Sequence, residues 1–289
     1  MSDAVLAPQA EDGAATGAPL VRVEGLTRVF DLSKKWLNRV LEGGGRVVLT
    51  AVDHVDFSIG PGETYALVGE SGSGKTTVAR MIVGLETPSA GEIECFGRRR
   101  MTRPNTRARR AFGRQVQMVF QNPYRSLDPS QTVGAAIGDV LRLHARLDPA
   151  ARSTRIAQLL ELVRLPTSVG SALPKQLSGG QRQRVCIARA LAAEPRVLIL
   201  DEAVSSLDVS VQAQILNLLC DIRDETNVSY LFITHDLGVV RQIADEVVVM
   251  RRGEVVERGQ AETVLDRPQH PYTVRLIESV PREGWRPGS

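Results

Sequence analysis

The chain has 289 residues, 43% of them hydrophobic and 24% charged, enough for one large α/β domain with small appendages and ordinary for a globular protein. A net charge of +3 is too small to imply a nucleic-acid partner by itself, and 4% aromatic residues argue against an RNA binder built on stacked rings. Three scattered cysteines, Cys95, Cys186 and Cys220, form no CxxC pair, so neither a zinc site nor a disulfide framework is expected, and reduced thiols fit the cytoplasm.

Residues 1–19 are rich in Ala, Gly and Pro. They lack the basic start and apolar core of a secretory signal and read as a disordered tail. Val21 to Phe30 reads as a first strand. Asp31 to Gly45 is polar, ends in three glycines and reads as an inserted loop, after which Val47 to Ile59 resumes strand character. Thr64 to Val68 is a short apolar run that stops at Gly69, as a buried strand would. Thr76 to Leu85 carries Val78, Met81, Ile82 and Leu85 at helical spacing, and Glu92 to Phe96 and Val116 to Phe120 read as strands. From Ser130 to Leu173 strand signals vanish. Ile156, Leu159, Leu160 and Val163 recur at helical spacing, so a helical subdomain over about 130–175 is expected inside an α/β fold. Helices over Gly180–Ala193, Val209–Asp224 and Leu237–Ala244 then alternate with strands over Val197–Leu200 and Ser229–Thr234. This alternation gives a mostly parallel sheet covered on both faces. Glu262 to Val280 is a closing helical segment interrupted by Pro268 and Pro271, and Arg282 to Ser289 reads as a loose end. No run reaches the ~18 apolar residues that span a bilayer.

The strongest local signal is Gly69-Glu70-Ser71-Gly72-Ser73-Gly74-Lys75-Thr76-Thr77, a GxxxxGK[ST] pattern between a strand and a helix. Its glycines let backbone N–H groups close around phosphate oxygens, and the helix N-terminus adds a positive dipole end. Lys75 reaches the β- and γ-phosphates of a bound nucleotide, and the Thr76 hydroxyl can ligate Mg²⁺. Val197-Leu198-Ile199-Leu200-Asp201-Glu202 is a buried strand ending in two acids. Asp201 is placed to hold Mg²⁺ directly or through water, and Glu202 to polarise the attacking water as general base.

Many phosphate-loop proteins share those two motifs. Leu177-Ser178-Gly179-Gly180-Gln181 separates them: Ser178 is a sound N-cap, and the glycines expose backbone N–H groups to an anion. This pentapeptide, ahead of a strand ending in Asp-Glu, resembles the signature of ABC ATPases. The resemblance covers nearly the whole chain. It implies a P-loop ABC ATPase fold with a mostly parallel core sheet, an N-terminal antiparallel β subdomain and an inserted helical subdomain, over residues 20–260. Gln121 looks like the Q-loop glutamine, a Mg²⁺ ligand that senses γ-phosphate. Ser205-Ser206-Leu207-Asp208 looks like the D-loop, and His235 like the switch histidine that contacts γ-phosphate. Phe30 matches the aromatic residue that stacks on adenine, the alternative being ordinary core. Two such ATPase domains face head to tail, so Ser178, Gly179, Gly180 and Gln181 are expected at nucleotide held by a second ATPase subunit, and Asp208 of the D-loop is expected to bind nucleotide.

Val119 to Pro129, Asp201 to Ser210 and His270-Pro271-Tyr272-Thr273 resemble the oligopeptide/dipeptide permease ATPases, F-type subunit, with 261–289 as the family's C-terminal extension. That resemblance implies a heterodimer and two membrane permeases that dock near Gln121 to Pro129. It also implies an extracytoplasmic solute-binding protein and a peripheral place on the cytoplasmic face of the membrane. Nickel, opine and glutathione importers belong to the same group, and a soluble ABC ATPase acting on nucleic acid or ribosomes is the alternative class. No cysteine follows Cys220, so no iron–sulfur centre is expected. Eight arginines between Arg98 and Arg114 fit a solvated loop better than a nucleic-acid or headgroup contact, because charge runs are usually solvated.

Overall fold

The structure, a computed structural model, describes residues 18–32, 48–100 and 104–279. Most of the expected tail, most of the loop expected at 31–45, Arg103 and the loose end at 282–289 lie outside the described residues. Two sheets organise the rest. The first is antiparallel and takes β1 (Val21–Asp31), β2 (Val48–Ile59), β4 (Ala90–Cys95) and the short β5 (Arg98–Arg99) in the order β2-β1-β4-β5. The second runs β10-β9-β3-β8-β7-β6. It is built from β3 (Thr64–Val68), β6 (Val116–Val119), β7 (Val197–Asp201), β8 (Ser229–Thr234), β9 (Glu246–Arg251) and β10 (Glu254–Gln260). All neighbours in it are parallel except the β9–β10 hairpin.

The parallel strands are buried on both faces, which is why they read as unbroken apolar runs. Val197, Ile199, Leu231 and Ile233 point into a core shared with the antiparallel sheet and α1 (Lys75–Val83). Leu198, Leu200, Tyr230 and Phe232 point to the opposite face. There they meet α6 (Gly179–Leu191) and α7 (Val209–Thr226) in one continuous core with the helical segment. That segment is α4 (Val133–His144) and α5 (Pro149–Leu162), closed by 3₁₀ turns at Thr167–Ser171 and Pro174–Gln176. Thr132 caps α4 through the Ala135 N–H, and Asp148 caps α5 through the Ala151 N–H with Pro149 at the first helical position. Ile137, Leu141, Leu159 and Leu160 pack with Val185 and Ile187 of α6, so the insertion has no separate core of its own.

The structure corrects the reading of the arginine run. Arg98–Arg99 form β5, and Thr106–Gln115 form α2. Asn105 caps α2 by accepting the Ala108 N–H at 2.8 Å, and Phe112 packs against the core beneath. Arginine is a good helix former, so dense charge there marks a solvated helix face and not a loop. The β9–β10 hairpin is also unanticipated. Its signals are the apolar run Val247–Met250 and a turn with Arg252 and Gly253 at positive φ (51° and 92°), the backbone that a tight hairpin needs. The closing helical segment is two helices, α9 (Ala261–Asp266) and α10 (Pro271–Glu278). They follow α3 (Pro123–Ser126) and α8 (Leu237–Ile243) in the remaining helix set.

Candidate nucleotide-binding site

After Val68 the chain turns through Gly69, Gly72 and Gly74 at φ +145°, +81° and +105°, angles that residues with a Cβ rarely adopt. A Cβ on Gly69 would lie 2.1 Å from the Met250 carbonyl oxygen, and one on Gly74 2.3 Å from that of Ala51. The loop is therefore pressed onto β9 and β2 on one side, while Gly72 faces open space. Ser71 is exposed, Ser73 is buried, and Thr76 and Thr77 are half-buried in the first turn of α1, whose leading N–H groups have no partner within the helix.

Lys75 is only 4% exposed. Its Nζ donates to the Gly69 carbonyl at 2.7 Å, the Glu70 carbonyl at 2.8 Å and Ser73 Oγ at 3.2 Å. Burial pulls its ammonium below the usual lysine range, against the opposing pull of Glu202, Asp201 and Glu70. The ammonium is held over the loop by neutral carbonyls, ready to gain from an anion placed there.

β7 delivers the acids. Asp201, 5% exposed, accepts the Thr76 hydroxyl at 2.9 Å. Burial raises its carboxyl above the usual range although the Thr76 hydrogen bond opposes this. A hydroxyl and a buried carboxylate side by side are a donor set for a small hard cation, which draws its other ligands from phosphates and water. They open on a recess of about 420 Å³ lined by Arg80, Gln121, Asn122 and Arg189 as well. Among the described residues no group of three His, Cys, Asp or Glu converges as a metal cage. Glu202 sits at φ +47°, left-handed backbone on a residue that does not favour it. Strain of this kind, of order 1–3 kcal/mol, is typical where a side chain must point into a site. Gln121 Nε2 donates to its Oε2 at 2.6 Å, and His235 Nδ1 lies 3.6 Å from its Oε1. The glutamine follows β6 and the histidine follows β8, the two strands flanking β7, so three adjacent strand ends supply the cluster.

The structure thus gathers the phosphate loop, Asp201, Glu202, Gln121 and His235. The hydrogen bonds of Ser178 and Gln181 instead close on each other: Gln181 N–H donates to Ser178 Oγ at 3.2 Å, and Ser178 N–H to Gln181 Oε1 at 2.9 Å. This reciprocal box opens α6. Gly180 is needed there for packing, since a Cβ would lie 2.6 Å from Val211 of α7. Asp208 is exposed at the head of α7. Phe30 is half-buried near the end of β1, opposite Leu49, with the Arg28 guanidinium 4.4 Å from its ring centroid. Sequence reasoning missed Arg80 and Arg189, which bring positive charge to the recess. It also missed Tyr272, whose hydroxyl reaches the phosphate loop. The thiols take no part: burial pushes Cys95 up to about 12 and Cys186 up to about 11.

A glycine loop between a parallel strand and a helix, with a buried lysine and a strand-end Asp-Glu, defines a phosphate-loop nucleotide hydrolase. Residues 52–205 match the ABC transporter family, and residues 256–287 match the oligopeptide/dipeptide transporter C-terminal region. A Brucella abortus (strain 2308) protein named for peptide import ATP binding is 48% identical over 286 residues, spanning 98% of this chain and 83% of that protein. A glutathione import ATP-binding protein of Escherichia coli (strain K12) is 46% identical over 265 residues, 92% of this chain but 42% of that protein. Among solved structures, a dimeric ATP-binding cassette in a post-hydrolysis state with ADP and Pi superposes with a TM-score of 0.72 at 25% identity, covering 83% of this chain and 98% of that one. A Clostridium perfringens ABC transporter component gives 0.72 at 25% identity over 92% of this chain and 97% of that one. The chain belongs to the ABC transporter family and is its ATP-binding, ATP-hydrolysing subunit, a partner of membrane permeases. No helix among the described residues is long and apolar enough to cross a membrane.

Proposed function

We propose that this chain drives uptake of di- or oligopeptides, working on the cytoplasmic face of the membrane beside two permeases that receive solute from an extracytoplasmic binding protein. The observation that carries the catalytic part is the convergence of Gln121 and His235 on Glu202, next to the Thr76–Asp201 pair. Gly69 to Thr77 hold the phosphates, with Lys75 on the β- and γ-oxygens. Thr76, Asp201 and Gln121 would hold Mg²⁺, which would supply positive charge to neutralise the phosphates. Glu202 accepts the proton of the attacking water, and His235 lies where it can contact the γ-phosphate. Phe30, near the end of β1, offers its ring to adenine. Ser178, Gly179, Gly180, Gln181 and Asp208 face nucleotide on a second ATPase subunit, head to tail in a heterodimer, and the hydrogen bonding of Ser178 and Gln181 to each other and not to the Glu202 cluster supports this division. The C-terminal match and the peptide-import relative support the peptide substrate. The glutathione-import relative keeps a modified tripeptide in the same range.

The test uses the assembled importer in vesicles. Glu202→Gln should keep ATP binding and lose at least about 100-fold in turnover, as loss of a general base does, and uptake of labelled peptide should stop with it. Normal hydrolysis by that variant would remove Glu202 from the mechanism. Uptake that responds to no peptide would overturn the substrate assignment.

A further inference from the structure

Among the described residues, the C-terminal segment reaches the phosphate loop through Tyr272. Tyr272, second residue of α10 and 3% exposed, accepts the Glu70 N–H on its hydroxyl at 3.1 Å. That N–H belongs to the same peptide unit as the Gly69 carbonyl, which accepts Lys75 Nζ at 2.7 Å. The unit is gripped on opposite edges: Lys75 on its oxygen, Tyr272 on its nitrogen. Since a peptide unit is planar, fixing one edge orients the other.

Tyr272 is itself fixed from several sides. It belongs to one buried apolar cluster with Val68 and Val249, and the Arg251 guanidinium sits 5.1 Å from the ring centroid. Its own N–H donates to His270 Nδ1 at 3.1 Å, and the His270 and Gln269 N–H groups donate to the Glu257 carboxylate at 3.1 and 2.7 Å. A chain of hydrogen bonds therefore runs from β10 through His270 and Tyr272 to the peptide that holds Lys75. Neither Pro268 nor Pro271 can donate a backbone hydrogen bond, which keeps this segment irregular and directs its remaining N–H groups to Glu257.

We infer that Tyr272 is a positioning residue for ATP: through the Gly69–Glu70 peptide it holds Lys75 where the phosphates bind, so the C-terminal segment sets nucleotide affinity. This rests on the reading of Gly69 to Thr77 as the phosphate loop. Glu70 is exposed and its hydrogen bond to Tyr272 only part-buried, so solvent can reach the amide when the hydroxyl is removed. The consequence then falls on orientation and not on folding.

Tyr272→Phe in the full-length chain, assembled with its permeases and second ATPase subunit, removes only the hydroxyl and keeps the ring. Half-saturation by MgATP should rise about fivefold, the worth of one net hydrogen bond, while turnover at saturating ATP and the melting midpoint without nucleotide stay as in the parent chain. Hydrogen exchange at the Glu70 amide should accelerate. Unchanged ATP dependence overturns the inference, as does a variant that melts earlier while the Glu70 amide stays protected. Lys75→Ala separates the two readings. If it abolishes ATP binding while Tyr272→Phe changes nothing, only the Tyr272 inference fails. If it binds ATP normally, the phosphate-loop reading fails with it.

Discussion

At the residue scale the site stores unfavourable electrostatics that its ligands relieve. Asp201 is buried beside Glu202, and its carboxyl titrates above 3.8 in the folded chain. The folded state therefore binds a proton that the unfolded chain has already released. The stability tied to this group is full below 3.8 and is lost as pH rises through the raised folded value. Asp201→Asn keeps an acceptor for the Thr76 hydroxyl but never ionises. Without nucleotide it should be more stable than the parent chain at pH 7, with the gain shrinking as pH falls towards 3.8, while Mg²⁺-dependent hydrolysis disappears. Urea midpoints across that pH range check the first statement and phosphate release the second. Glu202 makes the same point in backbone form, because its φ of +47° is kept where a glycine would be easier. The residue types and their spacing were legible in the sequence. The positive φ of Glu202 and the grip of Gln121 on it were not, since both depend on which strand ends become neighbours.

At the element scale, caps and turns decide where helices begin. The Ser178–Gln181 box opens α6, so Ser178→Ala should cost about 1 kcal/mol, seen as a melting midpoint lower by about 2 °C. Ser178→Asn restores a good cap. If Ser178 also contacts nucleotide across a dimer, the Asn variant should recover stability without full turnover, and recovery of both would reduce its role to the cap. Strands β3, β7 and β8 and helices α1, α6 and α7 could be read from apolar runs and helical spacing to within one or two residues. Helix α2 could not, because its charge outweighed the cap at Asn105 and the single apolar anchor Phe112. The hairpin of β9 and β10 was passed over although Val247–Met250 is a continuous apolar run, because its turn is made by Arg252 and Gly253 and not by a familiar Asn-Gly pair.

At the scale of the whole molecule, one parallel sheet joins two faces with different tasks. One of its faces and the helical segment share a continuous core, so the helical subdomain should not unfold alone. Phe232→Ala, at a fully buried position, should cost about 3–5 kcal/mol, and probes in the sheet and in α5 should lose signal in one transition. Separate transitions would show that the helical segment is an independent unit.

The sequence alone determined the fold class and the chemistry: the loop glycines, Lys75, Asp201, Glu202 and the Ser178–Gln181 cap are local patterns whose meaning lies in residue type and spacing. Tertiary structure decided which of them meet. The order of parallel strands sets Gln121, Glu202 and His235 side by side across 81 and 33 positions of chain, and carries Tyr272 back onto Glu70 from 202 residues away. No local pattern encodes a strand order. It follows from how two apolar sheet faces are covered at once, and that is settled only when the whole chain packs.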